Sequence, residues 1–194
     1  MLSLQILVPV FIFIILQILI IVRNLNNKDY QLFFYLCDFI PLIFIITFLF
    51  NFYPLAKSLI SIGLIPQLIG IIPPILNLTS NIKFDGIPDY GKQSKFNQII
   101  ELLIHLVPIN LALLLTYQIK PEPISLFYSF IILIFLFIST ITFTSKKFNI
   151  NFVYGLDFLG FKLPWHTLLW VIYAFIIVVL PGFLVQYLVY VKFS

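Results

Sequence analysis

Charge is scarce in this chain of 194 residues, since 9% of its side chains are charged and 62% are hydrophobic. Its mean hydropathy is +1.13. In water, its 23 Phe residues and long Ile/Leu runs would expose more apolar surface than a soluble monomer tolerates. The composition therefore argues against a soluble globular protein and predicts a chain embedded in a membrane.

Cysteine is almost absent, because Cys37 is the only one in the sequence. A single thiol excludes an internal disulfide, and no Cys/His run has the spacing of a zinc site, so we expect no metal and no other cofactor. The net charge of +4 comes from scattered loop residues, and no Lys/Arg cluster is dense enough to bind nucleic acid. Membrane lipid and other membrane proteins are the expected partners.

Six apolar segments are each long enough to cross roughly 30 Å of hydrocarbon as a helix. They lack the in–out alternation of barrel strands, and a spanning segment must satisfy its own backbone groups, so we expect helices. No internal repeat divides the sequence. We predict an all-α fold, a polytopic bundle in one membrane-embedded domain (residues 1–194), with six transmembrane helices at about 4–22, 32–50, 58–78, 98–118, 124–144 and 164–191.

Basic residues are distributed unequally between the two sets of loops. Of the 11 Lys and Arg residues, eight fall in loops one, three and five, and three fall on the opposite side. The positive-inside rule predicts that the first set of loops is cytoplasmic and that both termini face outward. We expect Lys57 and Lys192 to reach the outer membrane boundary, and Lys146, Lys147 and Lys162 to line the inner one.

Four ionisable side chains lie within or at the start of apolar segments, where an ionisable group is costly. Cys37 and Asp38 lie near the start of the second span, and Glu101 and His105 near the start of the fourth. In the predicted orientation all four lie in the cytoplasmic half, and we expect no comparable cluster in the outer half. Glu101 and His105 share a helix face, on which a carboxylate can orient an imidazole. These four residues are the candidate catalytic residues.

Glycine and proline add two expectations about packing. Gly63 and Gly70 are seven residues apart and so share a face of the third span, which favours close approach of another helix. Pro108 cannot donate a hydrogen bond to the carbonyl of Ile104, beside His105, so the predicted site lies next to a freed carbonyl.

Short landmarks follow one another in a defined order between about residues 30 and 185. They are Leu36-Cys37, Gly63-Leu64, His105, Asn151 with Tyr154, and Pro164-Trp165. In these landmarks the chain resembles the YwaF-type integral membrane proteins of bacteria and their animal relative, a transmembrane acyltransferase that remodels ether phospholipids. The resemblance implies acyl transfer by a membrane Cys and His, which map by landmark onto Cys37 and His105.

Three functions remain open at this point. In a lipid acyltransferase or hydrolase, His105 would act as general base, Glu101 would orient it, and Cys37 would attack a lipid ester in the cytoplasmic leaflet. A hydrolase that activates water would not need Cys37. A proton-coupled or small-solute carrier would use Asp38, Glu101 and His105 as a relay. A non-enzymatic subunit or assembly factor would need no site.

Overall fold

The computed structural model describes residues 4–27, 30–80, 94–146, 150–154 and 165–194. These residues are helical apart from short turns and connections, so the fold is all-α, as predicted. The α-helices are α1 Leu4–Asn27, α2 Leu36–Leu49, α3 Tyr53–Gly70, α4 Ile72–Ser80, α5 Lys95–Thr116, α6 Pro123–Phe143, α7 His166–Ala174 and α8 Leu180–Phe193.

Within the described residues, five helical segments are long and apolar enough to cross a membrane. Helices α3 and α4 together supply one of them, and α7 and α8 supply another through a π-helical turn at Phe175–Val179. The chain is therefore a polytopic membrane protein. The five segments are Ile6–Asn26, Tyr53–Leu76, Lys95–Thr116, Pro123–Phe143 and His166–Phe193.

The second predicted span differs from the expectation of one continuous helix. A 3-10 helix at Tyr30–Phe34 precedes α2, which has 14 residues. The side chain of Asn151 bridges the interruption: its Oδ1 accepts from the backbone N–H of Leu36 at 2.9 Å, and its Nδ2 donates to the carbonyl of Phe34 at 2.8 Å. Because these backbone groups are satisfied by a side chain, the break is tolerated among apolar neighbours.

Helix α3 lies at the centre of the bundle, where it packs against α2, α5, α6 and α8. Residues 56–64 are all buried, as expected for a helix surrounded on every side. A Cβ atom built on Gly63 would lie 2.7 Å from Cδ1 of Ile109, and one built on Gly70 would overlap the ring of His105. The predicted close approach at this glycine face is confirmed, and the partner is α5.

Polar contacts define two ends of the bundle. At the first end, the last turns of α1 meet the starts of α2 and α5 through Arg23, Asp38 and Glu101. At the second end, the start of α3 meets the end of α5 through Lys57 and Thr116. Each end therefore collects the ends of several helices, and it is there that the buried polar groups concentrate.

Candidate functional site

Arg23 is the centre of a polar cluster at the first end. It is 3% exposed, and its guanidinium binds carboxylates from two other helices. Nη2 lies 2.8 Å from Oδ1 and 2.7 Å from Oδ2 of Asp38, while Nη1 donates to Oε2 of Glu101. Nδ2 of Asn24 adds a 2.7 Å bond to Asp38. We call Arg23, Asn24, Asp38 and Glu101 the Arg23 cluster; it joins α1, α2 and α5 through one cation.

Asp38 has a hydrogen-bond partner on each of its carboxylate oxygens. It is 2% exposed and is the third residue of α2, where the positive end of the helix dipole favours a negative charge. Burying an ion pair costs desolvation free energy, which excellent geometry and additional hydrogen bonds can offset. Both carboxylate oxygens of Asp38 have such bonds. The side chain of Asp38 is therefore held in one orientation.

Cys37 is half-buried beside this fixed carboxylate. Its thiol donates to Oδ1 of Asp38, with Sγ at 3.7 Å from the oxygen. The rest of the side chain packs against a small apolar cluster of Ile20, Ile100 and Ile104. In the part of the chain that the structure describes, no hydrogen bond joins Cys37 to His105. The hydrogen-bond partner of the thiol is thus the neighbouring carboxylate.

His105 lies close to the middle of α5, because this helix begins at Lys95, three residues before the predicted span. Its Nδ1 is 3.0 Å from the backbone carbonyl oxygen of Glu101. A carbonyl only accepts hydrogen bonds, so Nδ1 carries the proton, and in the neutral ring the lone pair lies on Nε2. The sequence led us to expect that the carboxylate of Glu101 orients the imidazole. The recorded bond of the ring is to the backbone carbonyl of Glu101, and the carboxylate binds Arg23.

Sequence reasoning missed Arg23, which it assigned to the first loop as a marker of topology. Helix α1 continues to Asn27, so Arg23 lies inside a helix rather than after it. A signal was present in the sequence: Asp38 and Glu101 both lie in apolar segments without a cation nearby in those segments, and Arg23 closes an apolar helix near the same predicted leaflet. A buried carboxylate needs such a partner.

Lys57 contradicts the expectation that it reaches the outer membrane boundary. It is 1% exposed, and its Nζ donates to the carbonyl oxygen of Thr116 at 2.6 Å. The last carbonyls of a helix have no partner within the helix, so the end of α5 offers an acceptor inside the bundle. Lys192 and Lys146 are exposed. Two further predicted boundary residues, Lys147 and Lys162, lie outside the described residues.

Further polar groups surround Lys57 and form a second polar cluster, whose other members are neutral. Nε2 of Gln186 donates to the carbonyl of Lys57 at 3.0 Å and to Oγ of Ser61 at 2.7 Å. Oγ of Ser129 donates to the carbonyl of Ser58 at 3.3 Å. These serines thus join α3 to α6 and α8. We call the following residues the Lys57 cluster: Lys57, Ser58, Ser61, Thr116, Ser129 and Gln186.

The acidic groups of the first end are not arranged as a metal site. Among the described residues, no group of three His, Cys, Asp or Glu side chains could hold a metal ion. The carboxylates of Asp38 and Glu101 face a guanidinium instead. This end holds a thiol and an oriented carboxylate, and the imidazole of His105 lies one helical turn beyond Glu101 on α5.

Comparison with known proteins assigns neither a family nor a function to this chain. No known protein family, no curated protein and no solved structure is significantly similar to this chain. The two polar clusters and their neighbours therefore carry the evidence for function.

Proposed function

We propose that this polytopic membrane protein is a lipid acyltransferase or hydrolase in which Cys37 is the nucleophile. The observation that supports this function is the position of the thiol, whose Sγ lies 3.7 Å from Oδ1 of Asp38. That carboxylate is fixed by two bonds from Arg23. A relationship to the YwaF-type proteins, indicated by Leu36-Cys37 and the other landmarks, is part of the same proposal.

The first step forms an acyl-thioester. Sγ of Cys37 attacks the carbonyl carbon of a lipid ester while the thiol proton passes to the carboxylate of Asp38, the group within hydrogen-bond reach. The tetrahedral intermediate then collapses, the C–O bond to the lipid breaks, and the leaving oxygen takes the proton. In this scheme Asp38 takes the role in the first step that the sequence assigned to His105.

The second step releases the acyl group. The hydroxyl of an acceptor lipid, or of water, attacks the thioester, and its proton passes to Nε2 of His105. The C–S bond breaks, and the thiolate of Cys37 recovers the proton. The hydrogen bond from Nδ1 to the carbonyl of Glu101 leaves Nε2 as the ring atom able to accept a proton. His105 therefore serves as the base for the acceptor.

Because Cys37 is the only cysteine, one experiment tests both steps on the full chain. The purified protein in nanodiscs is incubated with a phospholipid that is radiolabelled in its acyl chain, and label released by hydroxylamine is measured. We expect label on the wild type, none on Cys37→Ser, and accumulation on His105→Ala because the second step is blocked. His166→Ala is the matched control and should behave as the wild type. Equal turnover by Cys37→Ser and the wild type would contradict the proposal.

The Lys57 cluster favours a second candidate function, a proton-coupled or small-solute carrier. A proton or solute path across the membrane needs polar groups at both ends of the bundle. Asp38 and Glu101 supply them at the first end and Lys57 at the second. A proton-coupled carrier requires proton flux into proteoliposomes that is lost in both Asp38→Asn and Lys57→Met. Flux no greater than that of empty liposomes would exclude the proton-coupled carrier and leave the acyl-transfer proposal standing.

A further inference from the structure

A cavity of about 150 Å³ lies beside Lys57 at the second end of the bundle. Its walls come from the start of α3, the connection after α5 and the start of α6. Among its lining residues, Lys120 and Glu122 are exposed, whereas Lys57 and Ser125 are buried. The cavity thus has a charged mouth in contact with the surroundings and a polar floor inside the bundle.

The floor has hydrogen-bonding capacity that the described residues do not use. The ammonium group of a lysine has three donors, and that of Lys57 makes one bond, to the carbonyl of Thr116. Ser125 is 0% exposed, and its Oγ has no hydrogen-bond partner among the described residues. In the same part of the chain, no carboxylate forms an ion pair with Lys57. Buried polar groups in native proteins are normally satisfied, so this pair points to a ligand.

The surrounding backbone adds positive potential to the cavity. Helix α3 begins at Tyr53 and α6 at Pro123, and the first turns of both helices border the cavity through Tyr53 and Ser125. The N-terminal end of a helix carries a partial positive charge that favours anions. Pro54 and Pro123 have no N–H, and the N–H groups of Leu55 and Ser125 donate to the carbonyls of Phe52 and Glu122, so the contribution of these helix ends is that of their dipoles. Lys120 adds a cation at the mouth, and Glu122 opposes it. The ligand that fits is an anion with several oxygen acceptors and a low net charge.

We propose that this cavity binds a phosphate group, with Lys57 and Ser125 as its ligands. Phosphate oxygens form strong charge-assisted hydrogen bonds with an ammonium group and accept from a hydroxyl. Because the cavity opens at an end of a membrane-spanning bundle, both a phospholipid headgroup and inorganic phosphate carry the required chemistry. The site is at the opposite end from Cys37 and does not depend on the acyl-transfer proposal.

Lipid binding by the purified full chain tests this site. Phosphatidylglycerol, diacylglycerol (which lacks phosphate) or sodium phosphate is added in neutral detergent, and native mass spectrometry and the thermal unfolding temperature report binding. We expect phosphatidylglycerol to bind and stabilise the wild type, and diacylglycerol to do neither. Lys57→Met should weaken binding about tenfold or more, and Ser125→Ala by less. The matched control Lys192→Met removes an exposed charge near the end of α8 and should keep wild-type affinity.

The outcomes of this experiment show whether the site takes free phosphate or a lipid headgroup, and whether the proposal fails. If sodium phosphate stabilises the protein as much as phosphatidylglycerol does, and Lys57→Met abolishes both effects equally, the site takes free phosphate. Stabilisation by the lipid alone supports a headgroup site. Equal lipid affinity in Lys57→Met and Lys192→Met would overturn the proposal. If Lys57→Met does not fold, Ser125→Ala decides, and wild-type affinity in that variant overturns the proposal.

Discussion

Where α1 meets α2 and α5, a guanidinium lies between two carboxylates. Where α3 meets the end of α5, a lysine donates to a neutral backbone carbonyl. In the Arg23 cluster, one guanidinium is shared by the carboxylates of Asp38 and Glu101, so each charge has a partner of opposite sign. In the Lys57 cluster, the carbonyl of Thr116 accepts from a cation that forms no ion pair with a carboxylate of the described residues. Paired charges fix the neighbouring side chains in place, whereas an unpaired cation beside a cavity is available to a ligand.

The largest effect in this comparison is expected for Arg23→Gln. Removing one partner of a buried ion pair leaves the carboxylates of Asp38 and Glu101 without their cation, at a cost of about 3–5 kcal/mol in the free energy of unfolding. Unfolding in mixed detergent–SDS micelles, followed by the fluorescence of the two Trp residues, measures this cost. The matched control is Lys146→Gln, which removes an exposed charge just after α6.

A second variant checks the cause of that loss. Adding Asp38→Asn to Arg23→Gln removes one of the uncompensated charges, so the double variant should recover part of the lost stability. Such a recovery would attribute the loss to charge pairing rather than to packing of the long side chain. If Arg23→Gln were as stable as Lys146→Gln, the Arg23 cluster would not hold the three helices together.

The features of the fold and of the candidate site that could be predicted from sequence are those that depend on local composition. The length of the apolar runs was enough to predict a helical membrane bundle, since a spanning helix must satisfy its backbone internally. The cost of charge in apolar segments was enough to single out Asp38 and Glu101. The spacing of Gly63 and Gly70 indicated a close helix contact. Each of these inferences used residues of a single helix.

The part that could not be predicted depends on contacts between helices. Arg23 and Glu101 are 78 residues apart, and no local pattern shows that their side chains meet. Lys57 lies five residues into α3, a position from which a lysine normally reaches the membrane boundary. The carbonyl of Thr116, offered by another helix, holds it inside instead. The interruption before α2 is likewise bridged by Asn151, which lies in a short 3-10 helix at Ile150–Phe152, 115 residues after Leu36.

A smaller loss of stability is expected when a methyl group is added to the glycine face of α3. The loss depends on which glycine is replaced. At Gly70 the new methyl would overlap the rigid ring of His105, while at Gly63 it would meet Cδ1 of Ile109, the end of a flexible side chain. Gly70→Ala should therefore cost about 1–3 kcal/mol of stability and Gly63→Ala less, because overpacking is costly where neighbours cannot move.

The same pair of variants links packing to the proposed chemistry. Displacing His105 should slow release of the acyl group, so Gly70→Ala should accumulate hydroxylamine-labile label, while Gly63→Ala should turn over as the wild type does. Unfolding titrations and the labelling assay measure the two effects separately. A larger loss of stability or turnover in Gly63→Ala would contradict the assigned position of His105.

The smallest effect is expected for Gln186→Leu in the Lys57 cluster. Nε2 of Gln186 makes bonds to the carbonyl of Lys57 and the hydroxyl of Ser61, but its buried Oε1 has no partner among the described residues. Leucine is apolar and of similar size, so the substitution also removes this unsatisfied oxygen, and Oγ of Ser61 still donates to the carbonyl of Lys57 at 3.0 Å. The net change should be within about 1 kcal/mol, as for other exchanges of neutral hydrogen-bonding groups. The same unfolding titration measures it. A loss equal to that of Arg23→Gln would remove the distinction between the two clusters, because stability would then follow the number of buried hydrogen bonds rather than the pairing of charge.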